Sequence, residues 1–156
     1  MDYKTTQCCK YDVPVIEKLE IKAAEFPWDK KMIKGFVEAD GNHSVWTTDP
    51  TGRVVGWGLF IISEDSDLEF GRFIWRDGID LVVAMQSMIE AVSYSPLPNR
   101  PKIVVDIPCW ECHESPSIRF AAMQAVGFKA TAVNDNDLYA YGRKWDSYRM
   151  ELDQNG

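Results

Sequence analysis

The chain is 156 residues long and 46% hydrophobic, with six Trp, six Tyr and seven Phe, a composition that excludes a disordered chain and allows one sizeable core. A formal net charge of −7, with no cationic run longer than Lys30-Lys31, leaves no electrostatic footprint for nucleic acid or an anionic membrane and suits a basic peptide or an amine instead. The opening MDYKTTQCCKYD lacks the basic start and apolar run of a signal peptide, and no stretch reaches the roughly eighteen apolar residues of a membrane-spanning helix, so a soluble cytoplasmic protein is expected.

Taken in order, the sequence predicts a first strand in TTQCCKY (5–11). Asp12 then offers a helix cap with Pro14 in the first turn, and Ile16, Leu19, Ala23 and Phe26 recur at helical spacing, which predicts a helix over 13–25. Pro27 interrupts the run, Asp29 caps again, and Met32, Ile33, Phe36 and Val37 make the stripe of a second short helix. HSVWTT and RVVGWGLFII flank the turn DPTG and read as an antiparallel hairpin; LEFGRFIW (68–75) is the third strand of that meander.

From Ile79 to about Val92, the residues Leu81, Val82, Met85, Ile89 and Val92 follow the helical period. The near-continuous apolar run KIVVDIP (102–108) is typical of a strand covered on both faces. SIRFAAMQAV (117–126) predicts a helix ended by Gly127, and FKATAV with DLYAYGRKW predicts a closing hairpin around NDN. No repeat or linker interrupts this succession, so one domain is expected over 1–148, with a flexible tail at 149–156. The expected fold class is α/β (α+β): a mixed central sheet of about six to seven strands in the order β-α-α-β-β-β-α-β-α-β-β, with helices on both faces.

Three segments carry a likeness to a known family: EFPWDKKMIKGFVEA, GRVVGWGLFIISEDSDLEFGRFIW, and IRFAAMQAVGFKATA with its Gly127-Phe128 turn. Together they make the chain resemble the GNAT acetyltransferase superfamily over roughly residues 3–142, and in particular the bacterial N-terminal acetyltransferases of a ribosomal protein. The resemblance implies a sheet splayed open between two parallel strands, 68–75 and 102–108, with acetyl-CoA as co-substrate in the cleft and no metal. The pantetheine arm would add to the strand end at Phe73, Ile74 and Trp75. The pyrophosphate would meet the turn of Arg76, Asp77, Gly78, Ile79 and Asp80, where the helix dipole favours negative charge. Asp106 matches the place of the family's proton-accepting carboxylate, and an apolar strand makes a carboxylate a better acceptor. The other reading of Asp106 is a cap on the turn that follows. Trp28 and Tyr139 are the candidates to bind the amine or peptide acceptor, although both residue types also serve as ordinary packing.

The chain departs from the family pattern in three places. The family's phosphate loop runs Gln or Arg, two residues, Gly, one residue, then Gly or Ala; here Trp75 takes the first position, Gly78 the second and Asp80 the last. An Asp there opposes a diphosphate, and Asp77 or Asp80 is better explained as a helix N-cap and Gly78 as a turn residue. Met123 stands where the family commonly has a Tyr that returns a proton to the leaving thiolate. The loop CWECHESPS is longer than the family's. These departures keep open a second reading, a protein that retains the fold but serves as a binding or assembly module. A homodimer through the edge strand 138–143 is a further expectation.

CWECH (109–113) matches the attachment signature of c-type haem and resembles a redox or zinc half-site. Haem attachment calls for an export signal that this sequence does not show. Zinc calls for about four ligands, and Cys8, Cys9 and His43 supply no second paired spacing. A redox pair calls for a thioredoxin-like context that this order of elements lacks. Cys109, Cys112 and His113 are therefore read as ordinary loop residues.

Overall fold

The computed structural model describes residues 2–63, 67–93, 101–109 and 118–154. In chain order these form β1 (Lys4–Gln7), a 3-10 turn (Lys10–Asp12), α1 (Val13–Ala23), α2 (Lys30–Glu38), β2 (His43–Thr48), β3 (Val54–Ile62), β4 (Leu68–Trp75), α3 (Leu81–Ser93), β5 (Ile103–Pro108), α4 (Ile118–Val126), β6 (Lys129–Ala140) and β7 (Arg143–Leu152). Among the described residues the seven strands make one mixed sheet in the order β1-β2-β3-β4-β5-β7-β6, in which β4 and β5 are parallel and every other pair is antiparallel. The expected element order and fold class hold.

Local chemistry accounts for the boundaries. Asp12 accepts a hydrogen bond from the Cys9 N–H at 2.8 Å, which winds a turn where a longer first strand was expected and starts α1 with Pro14 in its first turn. Asp29 caps α2 by accepting from the Met32 N–H at 2.8 Å. In the β2–β3 turn, Asp49 accepts from the Thr51 hydroxyl and from the backbone N–H groups of Thr51 and Arg53. Those bonds, that of the Thr51 hydroxyl first, hold the Asp49 carboxyl below its ordinary range. Gly127 takes φ +120 at the end of α4, where its N–H and that of Phe128 reach back to the Met123 carbonyl.

Two apolar clusters sandwich the sheet. One packs α3 and α4 (Leu81, Met85, Met88, Ile89, Ala122, Met123) against Phe60, Phe70, Phe73, Ile103, Val105, Ile107 and Met150. The other packs α1 and α2 (Val13, Ile16, Leu19, Ile33) against Trp57, Leu59 and Ile74. A side chain such as Leu or Phe contributes about 1.5–3 kcal/mol when fully buried, so these two layers are the main source of cohesion.

Two expectations about the C-terminal region fail. The closing turn is Tyr141-Gly142 rather than NDN, which instead forms a bulge inside β6: the register against β7 jumps between Asn134 and Leu138, and Asn136 sits at φ +50. Residues 149–152 are not a tail. Arg149, Met150, Glu151 and Leu152 pair with Asp106, Val105, Val104 and Ile103 of β5, and Met150 is fully buried.

Candidate active site

The parallel strands β4 and β5 meet only at their N-terminal ends. Leu68 lies opposite Ile103 and Glu69 opposite Val104, with the Leu68 N–H donating to the Lys102 carbonyl at 2.8 Å, and beyond that no residue of β4 pairs with β5. β5 turns its other edge fully to β7. A bulge helps to aim β4: Leu59 lies opposite Arg72 and Phe60 opposite Phe70, which leaves Gly71 as the extra residue. Phe70 and Phe73 consequently both enter the α3 and α4 cluster, while Arg72 and Ile74 take the opposite face.

Of the residues placed at the cofactor end of β4, Phe73 and Ile74 are buried, and Trp75 is half-buried with its ring stacked on Phe73 at 5.0 Å. The Arg76 N–H donates to the Val55 carbonyl, and its Nε donates to the Val54 carbonyl at 2.9 Å. A cavity of about 320 Å³ lined by Lys22, Ala23, Arg53, Arg76 and Asp77 opens on the α1 side of this loop. Gly78 turns the chain at φ +82, and Ile79 packs on the α3 and α4 cluster. Asp80 caps α3: its Oδ1 accepts from the Val83 N–H at 3.2 Å, and its own N–H donates to the Tyr3 hydroxyl at 3.0 Å. The helix end that would face a pyrophosphate therefore carries a carboxylate of its own.

Asp106 lies on β5 past the point of divergence, opposite Arg149 of β7. Its side chain is exposed, on the face away from the α3 and α4 cluster that holds Val105 and Ile107. Val104 and Pro108 on this same face are buried, so Asp106 is the one exposed position of β5. One oxygen of Asp106, Oδ1, accepts from Asn134 Nδ2 at 3.0 Å.

A second wall is built on Glu20 and Arg72, which the sequence pattern did not mark. Glu20 of α1, fully buried within an otherwise apolar stripe, receives Arg72 Nε at 3.0 Å and Arg72 Nη2, and also the Trp28 N–H at 2.9 Å. Arg72 Nη2 further donates to the Phe26 carbonyl at 2.9 Å, and the guanidinium lies 4.5 Å from the centre of the Trp28 ring. Together they fix the 24–29 segment on β4. Trp28 is half-buried, stacked on Phe36 at 4.8 Å and edge-on to Trp57 at 5.9 Å, so most of its surface packs against the core. Tyr139 is exposed and lies opposite Lys144, whereas Leu138 lies opposite Trp145; alternation puts Tyr139 and Trp145 on different faces. Tyr141, at the hairpin tip with φ +53, approaches the 24–29 segment from the closing hairpin, 5.4 Å from Phe26. This ring pair bridges the two halves of the sheet.

Met123, in the position where the resemblance expects a Tyr, is fully buried and has no proton to give. Cys109 is half-buried, while Trp110, Glu111, Cys112 and His113 lie outside the described residues. Among the described residues no group of three or more His, Cys, Asp or Glu is placed to hold a metal ion, and no helix is long and apolar enough to cross a membrane.

No protein-family model matches this sequence, and no curated protein sequence does so significantly. Solved structures do match. The ribosomal-protein-S18-alanine N-acetyltransferase from Escherichia coli superposes with a TM-score of 0.71 at 13% identity, over 97% of this chain and 94% of that one. The spermidine N-acetyltransferase from Vibrio cholerae, solved in complex with CoA and spermine, superposes with a TM-score of 0.76 at 14% identity, over 97% and 95% of the two chains. Identities this low transfer architecture and not activity. With its seven-stranded mixed sheet parted between β4 and β5, the chain has the GNAT acetyltransferase fold.

Proposed function

We propose that this chain is an N-acetyltransferase that moves an acetyl group from acetyl-CoA to a primary amine, either a protein N-terminus or a small amine, in the cytoplasm. The observation that carries the reading is the parting of β4 from β5 after Glu69 and Val104. An extended thioester arm laid along β4 from Phe73 to Trp75 would meet a strand edge that β5 leaves uncovered, and would deliver its carbonyl toward Asp106. The CoA complex of the V. cholerae enzyme supports acetyl-CoA as co-substrate on this architecture.

The chemistry asked of the chain is limited. The amine nitrogen forms a bond to the acetyl carbon and the carbon–sulfur bond breaks. Asp106 accepts the proton that the attacking nitrogen loses, directly or through one water. A thiol with an ordinary pKa of about 8.5 leaves tolerably without a dedicated acid, which removes the need for a Tyr at position 123. The acceptor approaches from the side of Phe26, Trp28 and Tyr141.

A second reading has its own support. Asp80 occupies the cap of α3 and opposes a diphosphate at that helix end, which suits a scaffold that binds or assembles without catalysis. Calorimetric titration of the purified chain with acetyl-CoA and with CoA separates the two. Micromolar binding, followed by acetylation of spermine or of a peptide with an N-terminal alanine, supports the transferase. Absence of heat at millimolar ligand establishes the scaffold. Asp106→Asn is expected to lower kcat by about 10²–10⁴-fold.

A further inference from the structure

We infer that Asn134 is a positioning residue for Asp106, held by a one-way hydrogen-bond chain that runs through the buried Ser147 to Asp137. The inference rests on Asp106 being the base. Asn134 Nδ2 carries two hydrogens and two acceptors stand before it: Asp106 Oδ1 at 3.0 Å and Ser147 Oγ at 3.0 Å. Ser147 has one hydroxyl hydrogen, and it goes to Asp137 Oδ2 at 2.7 Å. Each donor therefore has one assigned acceptor, and no member can turn round without leaving two acceptors or two donors facing one another. Ser147 is fully buried, which makes such a mismatch costly.

The β6 bulge exists in the right place for this purpose. Asn134 lies opposite Ser147 in the β6–β7 register, and the jump to Leu138 loops residues 135–137 outward so that Asp137 also comes within reach of the same hydroxyl. The loop is pinned separately: Asn136, at φ +50, donates its N–H to Asp146 Oδ1 at 2.9 Å. An uninterrupted strand would place Asn134 and Asp137 on opposite faces, since three residues of a strand span an odd number of alternations. The consequence at Asp106 is specific. With Oδ1 engaged by an amide that reaches across β7 from β6, the carboxylate is held in one rotamer and presents Oδ2 to an incoming amine or water. An exposed aspartate without this restraint would spread over several rotamers.

The test uses the full chain with acetyl-CoA and two probe acceptors, spermine and an N-terminal-alanine peptide. Asn134→Ala and Asn134→Asp, the latter replacing the donor by an acceptor, are each expected to lower kcat about 10- to 100-fold with KM for acetyl-CoA unchanged. In the Asp106→Ala background Asn134→Ala is expected to change kcat less than twofold, because Asn134 acts through the carboxylate that has been removed. Independent of turnover, the side-chain amide signals of Asn134 in a ¹⁵N correlation spectrum should move on Asp106→Ala. Multiplicative losses in the double variant, or amide signals that stay in place, overturn the inference. If Asp106→Ala keeps the wild-type kcat, or the wild-type chain acetylates neither probe, the base or the transferase reading fails first and the inference falls with it.

Discussion

Arg72 of β4 and Glu20 of α1 are joined by two nitrogen-to-oxygen contacts in a place where Glu20 has lost all contact with solvent. Replacing the arginine strands a buried carboxylate, and such losses typically cost about 3–5 kcal/mol. Arg72→Met is expected to lower the unfolding free energy from urea titration by that amount, whereas the double variant Arg72→Met, Glu20→Leu, which removes both charges, should recover more than half of it. A double variant as unstable as the single one would show that the pair does not anchor α1.

Tyr141 occupies left-handed backbone that costs a non-glycine residue roughly 1–2 kcal/mol, yet most of its side chain is in solvent. Stability does not explain the choice; the ring's approach to Phe26 does. Tyr141→Asn, with a residue better suited to that turn, should keep or raise the melting temperature while raising KM for the amine several-fold. A lower melting temperature with unchanged KM would reverse the assignment.

Asp80 serves α3 at the expense of any diphosphate beside it. Asp80→Ser keeps a capping oxygen and discards the charge, so stability should stay within about 0.5 kcal/mol. Acetyl-CoA binding should tighten by up to about fivefold, the equivalent of roughly 1 kcal/mol at a helix end. Unchanged or weaker affinity by calorimetry would place the phosphates elsewhere.

Burial pushes the Cys8 thiol from 9.0 up to about 12, the Ser44 hydrogen bond opposing this only in part. The folded chain then holds the Cys8 proton through a pH range in which the unfolded chain has released it. Its stabilising contribution is thus complete below about 9 and is lost as pH rises from there to about 12, with a slope of at most about 1.4 kcal/mol per pH unit. Denaturant titrations at pH 8 and pH 11 should show a smaller alkaline loss in Cys8→Ala than in wild type. Equal losses would assign the alkaline sensitivity to other groups.

Most of the architecture was legible because local signals and the global pattern agreed. Asp12, Asp29 and Gly127 mark helix ends that the structure keeps, and the meander followed by a strand-helix-strand passage requires a mixed sheet. The failures have physical causes. NDN carries strong turn chemistry, but a turn of the same composition can be absorbed as a bulge when longer strands gain pairing on both sides; Tyr141-Gly142 carries a weak signal because tyrosine rarely accepts positive φ. KIVVDIP is covered on both faces as expected, every β5 position but Asp106 being buried, although apolarity along a strand does not reveal which neighbour stops short. The Asn134, Ser147 and Asp137 chain depends on register and a bulge, neither of which a single sequence displays. Glu20 did leave a trace, a charge four residues after Ile16 and beside Leu19 on a buried stripe, the usual mark of a distant partner.

Past Glu69 and Val104 no described residue of β4 pairs with β5, and Phe70, Phe73 and Met85 of one half share an apolar cluster with Val105, Ile107 and Met123 of the other. A ladder of amides comes apart rung by rung and resists every fraction of an ångström. An oily seam has no preferred direction and yields gradually, so the gap between β4 and β5 can widen or narrow around a guest while every backbone bond in both halves stays intact.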